Sequence, residues 1–479
     1  MYTQLICDHK LRPEHRRLIR RGDTLVHLSA DKSLGNVFLD AEALSRNLGC
    51  ELDSVSLDLC EIAAYVYLGD KAVSRGRYET WTRNLSYVIP VRNLDLWNSV
   101  KSILSDTLST LSGDNLRFNF LSLPKNQNLP APPTAEPLSF PESDSSCLFS
   151  GGLDSFAGAV HLIQAGRRPL FASHYVGGAL GNVQAGLMDA IQKEFRQEFH
   201  HFQYRVTSRP NKKSPHKYVR KESSHRARSF LFMSFAAVAA ATHGLSDIFI
   251  CENGVLSLNV PISDARKGTR STRHAHPLYL FHFNRLINAL YQRKFNVQNP
   301  FFLWTKGEEV ELLGKTNLYP LIKKTVTCWG YPNQTLRYKH SNHCGYCLPC
   351  IVRRVSLIAA DMEACDDQYV VDVFGPLDKL TEAQLRNVED LAYFCQCFNT
   401  LSKTELLYRY PELVMIEAGA SHSVENAIGK IIEVYKKFAA EFFSVAMGRN
   451  SGLIDARPDA LGIATAGLAH SKYGTLPAL

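Results

Sequence analysis

The sequence predicts a doubly wound, parallel α/β sheet for the middle of the chain, on three observations. Between residues 145 and 325, short apolar runs alternate with helical stretches, the pattern of β-α-β units. The first apolar run ends in a double-glycine turn that opens a helix, and sheets of this class bind ligands at such strand ends. A cysteine cluster at residues 326–365 closes this α/β unit.

The strands are expected at 146–149, 169–174, 201–206 and 247–251, and the helices at 154–165, 183–199 and 224–243, the last closed by Gly244. Residues 1–122 read as an α+β accessory unit. It has helices at 55–68 and 94–111, strands at 87–91 and 116–121, and Trp81 and Trp97 as core anchors. Residues 123–144 are rich in proline and polar side chains and read as an extended linker. Residues 145–365 form the α/β unit with its cysteine site, and residues 366–479 read as helical. In that last region Thr381-Glu-Ala-Gln384 and Ser402-Lys-Thr-Glu405 are capping-box patterns, and the Gly- and Ala-rich stretch 448–479 is expected to be partly disordered.

At 479 residues the chain is long enough for several cores, and its 45% hydrophobic and 21% charged content is ordinary for a globular protein. No apolar run approaches the ~18 residues needed to span a bilayer, and the N-terminus lacks the apolar core of a signal peptide. These features predict a cytoplasmic protein whose twelve cysteines are thiols or metal ligands. The net charge of +8 is local: between Arg205 and Arg228 there are nine Lys/Arg and one acid, Glu222, and the remainder is balanced. Such a segment fits one polyanionic ligand such as a triphosphate, a tether to nucleic acid or an acidic partner, or a solvated loop. A balanced remainder disfavours nucleic acid as the main partner.

The strongest local motif is Leu148-Phe149-Ser150-Gly151-Gly152-Leu153-Asp154-Ser155. Adjacent glycines let the backbone approach an oxyanion, and the helix that follows offers unpaired N–H groups and the positive end of its dipole. Ser150 and Ser155 add hydroxyls, which makes a nest for a diphosphate-sized anion. Gly314-Lys315-Thr316 has the tail of a Walker motif, but Glu309 stands where its first glycine should be. Cys344-Gly-Tyr-Cys347-Leu-Pro-Cys350 places three thiols in one turn region, with Cys328 upstream. Four thiolates suit a closed, structural zinc site. An iron–sulfur cluster is the rival, and His340 or His343 could replace Cys328 as a ligand. Cys395 and Cys397 read as buried apolar residues.

The Ser-Gly-Gly-x-Asp-Ser loop and the Cys-x2-Cys-x2-Cys cluster together resemble the QueC family of pyrophosphate-loop enzymes. The segment from Arg228 to Ala236 is similar to the family's Arg-Asn-x-x-x-Leu-Ser helix, and Thr305-Lys306-Gly-Glu-Glu-Val310 to its Thr-Lys-x-Glu-Ile-Val segment. Arg353 matches the arginine after the last cysteine ligand, and the resemblance covers about residues 146–360. It implies an adenine-nucleotide α-hydrolase-like domain that uses ATP and Mg²⁺ to adenylate a carboxylate, 7-carboxy-7-deazaguanine in that family, and then makes an amide and a nitrile with ammonia. It further implies that Ser150, Gly151, Gly152, Asp154 and Ser155 hold the ATP phosphates. Lys306, Arg228 and Arg353 then stabilise charge there, and Cys328, Cys344, Cys347 and Cys350 bind Zn²⁺.

The sequence departs from this family at Glu252-Asn253-Gly254 and onward, where Tyr-Pro-Asp-Cys is absent, and at His174-Tyr175-Val176, where Tyr-Gly-Gln is absent. Both segments belong near the base and the acceptor amine. The terminal additions are similar to those of QueC-like proteins of bacterial antiphage (Qat-type) systems. That likeness implies protein partners from the same operon and an acceptor amine that belongs to a protein. Two other readings stay open: a pyrophosphate-loop enzyme that modifies tRNA, and a scaffold that binds ATP without catalysis.

Overall fold

The computed structural model describes residues 2–8, 24–30, 35–75, 82–123, 140–208, 219–262, 273–330, 343–376, 380–420 and 425–449. Trp81, His340, most of the 123–144 linker and residues 450–479 lie outside them.

A five-stranded parallel sheet lies at the centre. Its strands are β6 (Ser145–Leu148), β7 (Pro169–His174), β8 (His201–Tyr204), β10 (Asp247–Phe249) and β11 (Asn296–Gln298), in the order β11-β10-β6-β7-β8. The chain therefore moves outward one way from β6 and then returns to its other side with β10. That reversal places a crevice between the C-terminal ends of β6 and β10, where doubly wound sheets bind ligands. α5 (Leu153–Gln164), α6 (Gly178–Phe195) and α10 (Lys306–Gly314) supply the apolar core on one face, with Phe149, Phe156, Leu187 and Val310 buried together. α7 (Arg228–Thr242) and α9 (Pro277–Tyr291) cover the other face.

The N-terminal unit corrects the α+β expectation. Its sheet, β2 (Thr24–Ser29), β1 (Thr3–Asp8), β4 (Asn84–Val91) and β5 (Asn115–Ser122), is parallel in every pair. The reason is that helical crossovers join its strands: α2 (Ser54–Ala72) precedes β4, while α3 (Leu94–Ser99) and α4 (Lys101–Ser112) precede β5. The single helix expected over 94–111 is broken at Val100, whose φ of −100° and ψ of 4° leave the helical basin. α2 is buried on nearly all sides because it lies between this sheet and α7. Its acids Asp58 and Glu61 ion-pair with Arg92, and Asp70 with Arg75 and Arg83, so the buried charges are matched. Trp97 is fully buried and donates from Nε1 to Asp58 at 3.0 Å.

One apolar core therefore runs from Leu5, Tyr65 and Tyr87 through Phe230 and Phe235 to Tyr279 and Phe283. The strand expected over 201–206 is divided at Arg205. Its second part, β9 (Val206–Ser208), leaves the sheet to pair antiparallel with β3 (Val37–Leu39). α6 begins before the expected residue 183, because the Gly177–Gly178 pair turns the chain straight into the helix.

Beyond α8 (Gly254–Ser257) and α11 (Leu348–Ala359), the C-terminal helices are α12 (Glu382–Thr400), α13 (Lys403–Arg409), α14 (Glu412–Ala420) and α15 (Ala427–Arg449). Both expected capping boxes are formed, at Thr381/Gln384 and Ser402/Glu405. These helices bury a second core with α11, in which Cys395 and Cys397 are apolar packing residues. Among the described residues no helix is long and apolar enough to cross a membrane.

Candidate active site

The loop from Ser150 to Ser155 joins β6 to α5 at the C-terminal edge of the sheet. Gly151 has φ +82°, a conformation that costs a non-glycine residue about 1–2 kcal/mol. The loop is braced from within. Ser150 N and Oγ donate to Ser155 Oγ at 3.2 and 3.1 Å, Gly152 N donates to Ser150 Oγ at 3.2 Å, and Ser155 Oγ donates to Gly152 O at 3.0 Å. No side chain caps α5, whose N-cap is Gly152, so its first-turn amides are left to a ligand or water.

Asp154 stands on that first turn and is held from two directions. Asn253, four residues beyond the end of β10, caps α8 by accepting from Leu256 N at 3.1 Å, and this fixes which way its amide faces. Its Nδ2 then donates to Asp154 Oδ1 at 2.8 Å, across the crevice between β6 and β10. From the other side Lys306, at the start of α10, forms a short ion pair with Asp154 Oδ2. Lys306 is fully buried, and so is Glu309, whose carboxylate lies 3.8 Å from the Lys306 ammonium. Burial alone would strip the charge from Lys306, but Asp154, Glu309 and Glu252 outweigh it and hold the ammonium above its usual pKa. Burial likewise opposes ionisation of Asp154, and Lys306 overcomes it, so its carboxyl sits below the usual range. Glu309 goes the other way, pushed well up by burial and by the charge of Asp154. Lys306 and Asp154 thus support each other's charge, while burial favours the neutral form of Glu309.

Lys306 is placed by a third capping box, Thr305 with Glu308, that the sequence reading had not singled out as one. Glu441 of α15 accepts a short hydrogen bond from Thr305 Oγ1, so the C-terminal helices brace the helix that carries Lys306. Burial, joined by the charges of Glu308 and Glu311, pushes the Glu441 carboxyl up to about 7, against the opposing pull of Thr305 and Lys437. A folded pKa above the unfolded one favours the fold below the unfolded value of 4.5, and the contribution is lost as pH rises through about 7. The urea midpoint should therefore fall as pH rises through that value, and Glu441→Gln should flatten the fall.

The three expected cations are placed differently. Lys306 joins Asp154. Arg228, the first residue of α7, is exposed, lies over the Phe232 ring and has no bond to the Asp154 cluster among the described residues. Arg353 corrects the expectation of a phosphate ligand. It is fully buried, and its guanidinium is consumed by Asp366 (2.9 Å), Thr325 Oγ1 (2.7 Å), Thr327 Oγ1 (3.2 Å) and Ile322 O (2.8 Å). Its effect reaches the loop through the segment it clamps, because Val326 N donates to Gly151 O at 3.1 Å. The basic segment is likewise engaged where it is described. Arg226 is buried and donates to Ser112 O, and Lys221 N donates to Lys71 O. Arg209, Lys212, Lys213 and Lys217 lie outside the described residues.

That clamped segment leads into a cysteine quartet that could hold a metal ion. The Sγ atoms of Cys328, Cys344, Cys347 and Cys350 all lie within 4.8 Å of one another, and those of Cys344 and Cys350 are 3.9 Å apart. Tetrahedral zinc with bonds of about 2.3 Å needs sulfurs ~3.8 Å apart, so the quartet fits the ion. Gly330 N and Cys347 N donate to Cys328 and Cys344 sulfurs, as thiolates require. Gly345 holds the turn with φ +85°, and a Cβ there would overlap Val371 O. His343 is not in the quartet; its Nε2 accepts from Thr327 N at 3.3 Å, behind the ligands.

Two groups beside the Asp154–Lys306 pair, Asn253 and Glu309, carried no sequence signal for this role, nor did the contact of His274 Nε2 with Glu252 Oε2 at 2.5 Å. The arrangement can bind a polyphosphate at the α5 amides and place a buried cation and a fixed carboxylate beside it. Comparison with curated proteins returns no match. The model of an ATP-using, ligase-like family, described as Queuosine biosynthesis protein QueC, matches residues 201–361, a span that includes Arg228, Lys306, Arg353 and all four cysteines of the quartet.

Proposed function

We propose that this protein is an ATP-dependent carbon–nitrogen ligase that forms AMP and pyrophosphate by adenylating a carboxylate. The observation that carries the reading is Asp154, fixed on the first turn of α5 by Asn253 and the buried Lys306 at the reversal point of the sheet. The uncapped α5 amides and the Ser150–Ser155 loop bind the β- and γ-phosphates of ATP. The substrate carboxylate attacks the α-phosphorus and pyrophosphate leaves. Lys306 offsets the charge that builds on the phosphates, from a position that needs no reorganisation. Arg228, exposed at the start of α7, is a cation open to substrate. Arg353 acts as a positioning residue through Val326. A magnesium ion held by Asp154 would supply further positive charge at the departing pyrophosphate. A zinc ion held by Cys328, Cys344, Cys347 and Cys350 would supply structure and keep the Thr325–Cys328 segment against the loop.

The acyl adenylate then loses AMP to an amine, giving an amide. A second activation would dehydrate a primary amide to a nitrile, whereas a protein amine would give a conjugate. We assign 7-carboxy-7-deazaguanine as the carboxylate on the strength of the QueC family match, which covers the half of the site that includes Lys306. The place in an antiphage system, with operon-encoded protein partners, rests on the likeness of the terminal additions. Incubation of the full chain with ATP, that carboxylate and ammonium should yield AMP and pyrophosphate in step with an amide detected by mass spectrometry. Release of ADP and phosphate, or turnover that ignores every deazapurine carboxylate, would contradict the reading.

A further inference from the structure

The adenylation site explains how a carboxylate is activated and leaves open what prepares the amine, which near neutral pH arrives as a protonated cation. We infer that His274, oriented by Glu252, is the base that accepts a proton from the incoming ammonium or alkylammonium group. The inference rests on the adenylation reading above.

Glu252 directly precedes Asn253, the residue that holds Asp154, so the pair stands at the end of β10 beside the nest. Its backbone is pinned by Asn299, whose Oδ1 accepts from Glu252 N at 3.2 Å and whose Nδ2 donates to Glu252 O at 2.8 Å. Its charge is near enough to help hold Lys306 protonated. His274 Nε2 lies 2.5 Å from Glu252 Oε2. With Nε2 donating to the Glu252 carboxylate, Nδ1 of the neutral imidazole presents its lone pair. This is the division of labour of a carboxylate–histidine pair in acyl-transfer enzymes.

The backbone on either side of the ring is held. Ser229 Oγ donates to His274 O at 3.0 Å, His276 N donates to Arg273 O at 3.1 Å, and the buried Arg273 side chain donates to Thr110 O at 3.4 Å. The imidazole itself stays accessible, with 34% of the side chain exposed against 14% for Glu252. Among the described residues no group bonds Nδ1. A solvent-facing imidazole on a clamped turn, beside a carboxylate that attracts cations, is where an ammonium group would be received.

The step balances. The ammonium nitrogen gives one proton to Nδ1, and its freed lone pair attacks the acyl carbon. The C–N bond forms, the C–O bond to phosphate breaks, and AMP departs with the bonding pair. The remaining excess proton on nitrogen passes to water.

The test uses the full chain with ATP, 7-carboxy-7-deazaguanine and ammonium chloride, comparing wild type with His274→Ala and Glu252→Gln. Two half-reactions are read separately: carboxylate-dependent ATP–pyrophosphate exchange, and amide formation. In His274→Ala, amide formation should fall about 100-fold while exchange changes by less than about threefold. Hydroxylamine, already neutral at neutral pH, should still trap the adenylate as a hydroxamate. Glu252→Gln should lower amide formation more than exchange, with some loss of exchange because the Glu252 charge also supports the Lys306 ammonium. Unchanged amide formation in His274→Ala would make the pair a surface ion pair and overturn the inference. Equal loss of exchange and amide would also overturn it, since the residue would then serve the whole site. A wild type that exchanges yet makes no amide from ammonium or a lysyl amine would overturn the cationic acceptor. Absence of exchange in the wild type would instead sink the adenylation reading, and this inference with it.

Discussion

Lys306→Met should abolish ATP turnover and lower stability by about 3–5 kcal/mol, the cost of stranding a buried charge. The Lys306 side chain is fully buried and its partner Asp154 is only 13% exposed. Without the ammonium, Asp154 loses the one cation that pairs with it among the described residues, and the buried Glu309 carboxyl remains nearby. The cost therefore arises from the group left behind, and a second change should recover it. Lys306→Met combined with Asp154→Asn removes both charges and should regain most of the lost stability in urea denaturation, with no return of activity. If the double variant were as unstable as the single one, the pair would not be the source of the loss.

The second large effect belongs to the metal centre. Cys350→Ser should drop the metal content from about one ion per chain to near none. Structural zinc in small peptides binds with about 10–16 kcal/mol, so losing the ion should lower the unfolding midpoint on the order of 10 °C. The damage should extend to the nucleotide loop, because Cys328 ends the segment in which Arg353 holds Thr325 and Thr327, and Val326 donates to Gly151. Weaker ATP binding in the variant at temperatures well below its midpoint would report that coupling. A strong chelator should shift the wild type to the variant's midpoint and leave the variant unchanged. A variant that kept its metal would point to a replacement ligand.

Much of this architecture was legible in the sequence because its signals are local. The strand at Pro169–His174 is found where its apolar run lies, and the glycine turn opens α5. Three cysteines within seven residues, with Cys328 upstream, converge on one point. What the sequence hid depends on groups far apart in the chain. Asp154 and Lys306 are 152 residues apart, and neither Asn253 nor Glu309 sits in a pattern that announces a carboxylate cluster. Arg353 was legible as a charge, but its partners were not, and those partners turn it from a ligand into a clamp. The parallel direction of the N-terminal sheet follows from its crossovers, which periodicity within a strand does not reveal. β11, only Asn-Val-Gln, has no apolar run and is a strand because β10 pairs with it.

The most direct test of the central claim is ATP–pyrophosphate exchange, measured with and without 7-carboxy-7-deazaguanine, in wild type and Asp154→Ala. The account predicts exchange that depends on the carboxylate and vanishes in the variant while the variant remains folded. Exchange that survives in Asp154→Ala, or none in the wild type with any deazapurine carboxylate, would contradict it.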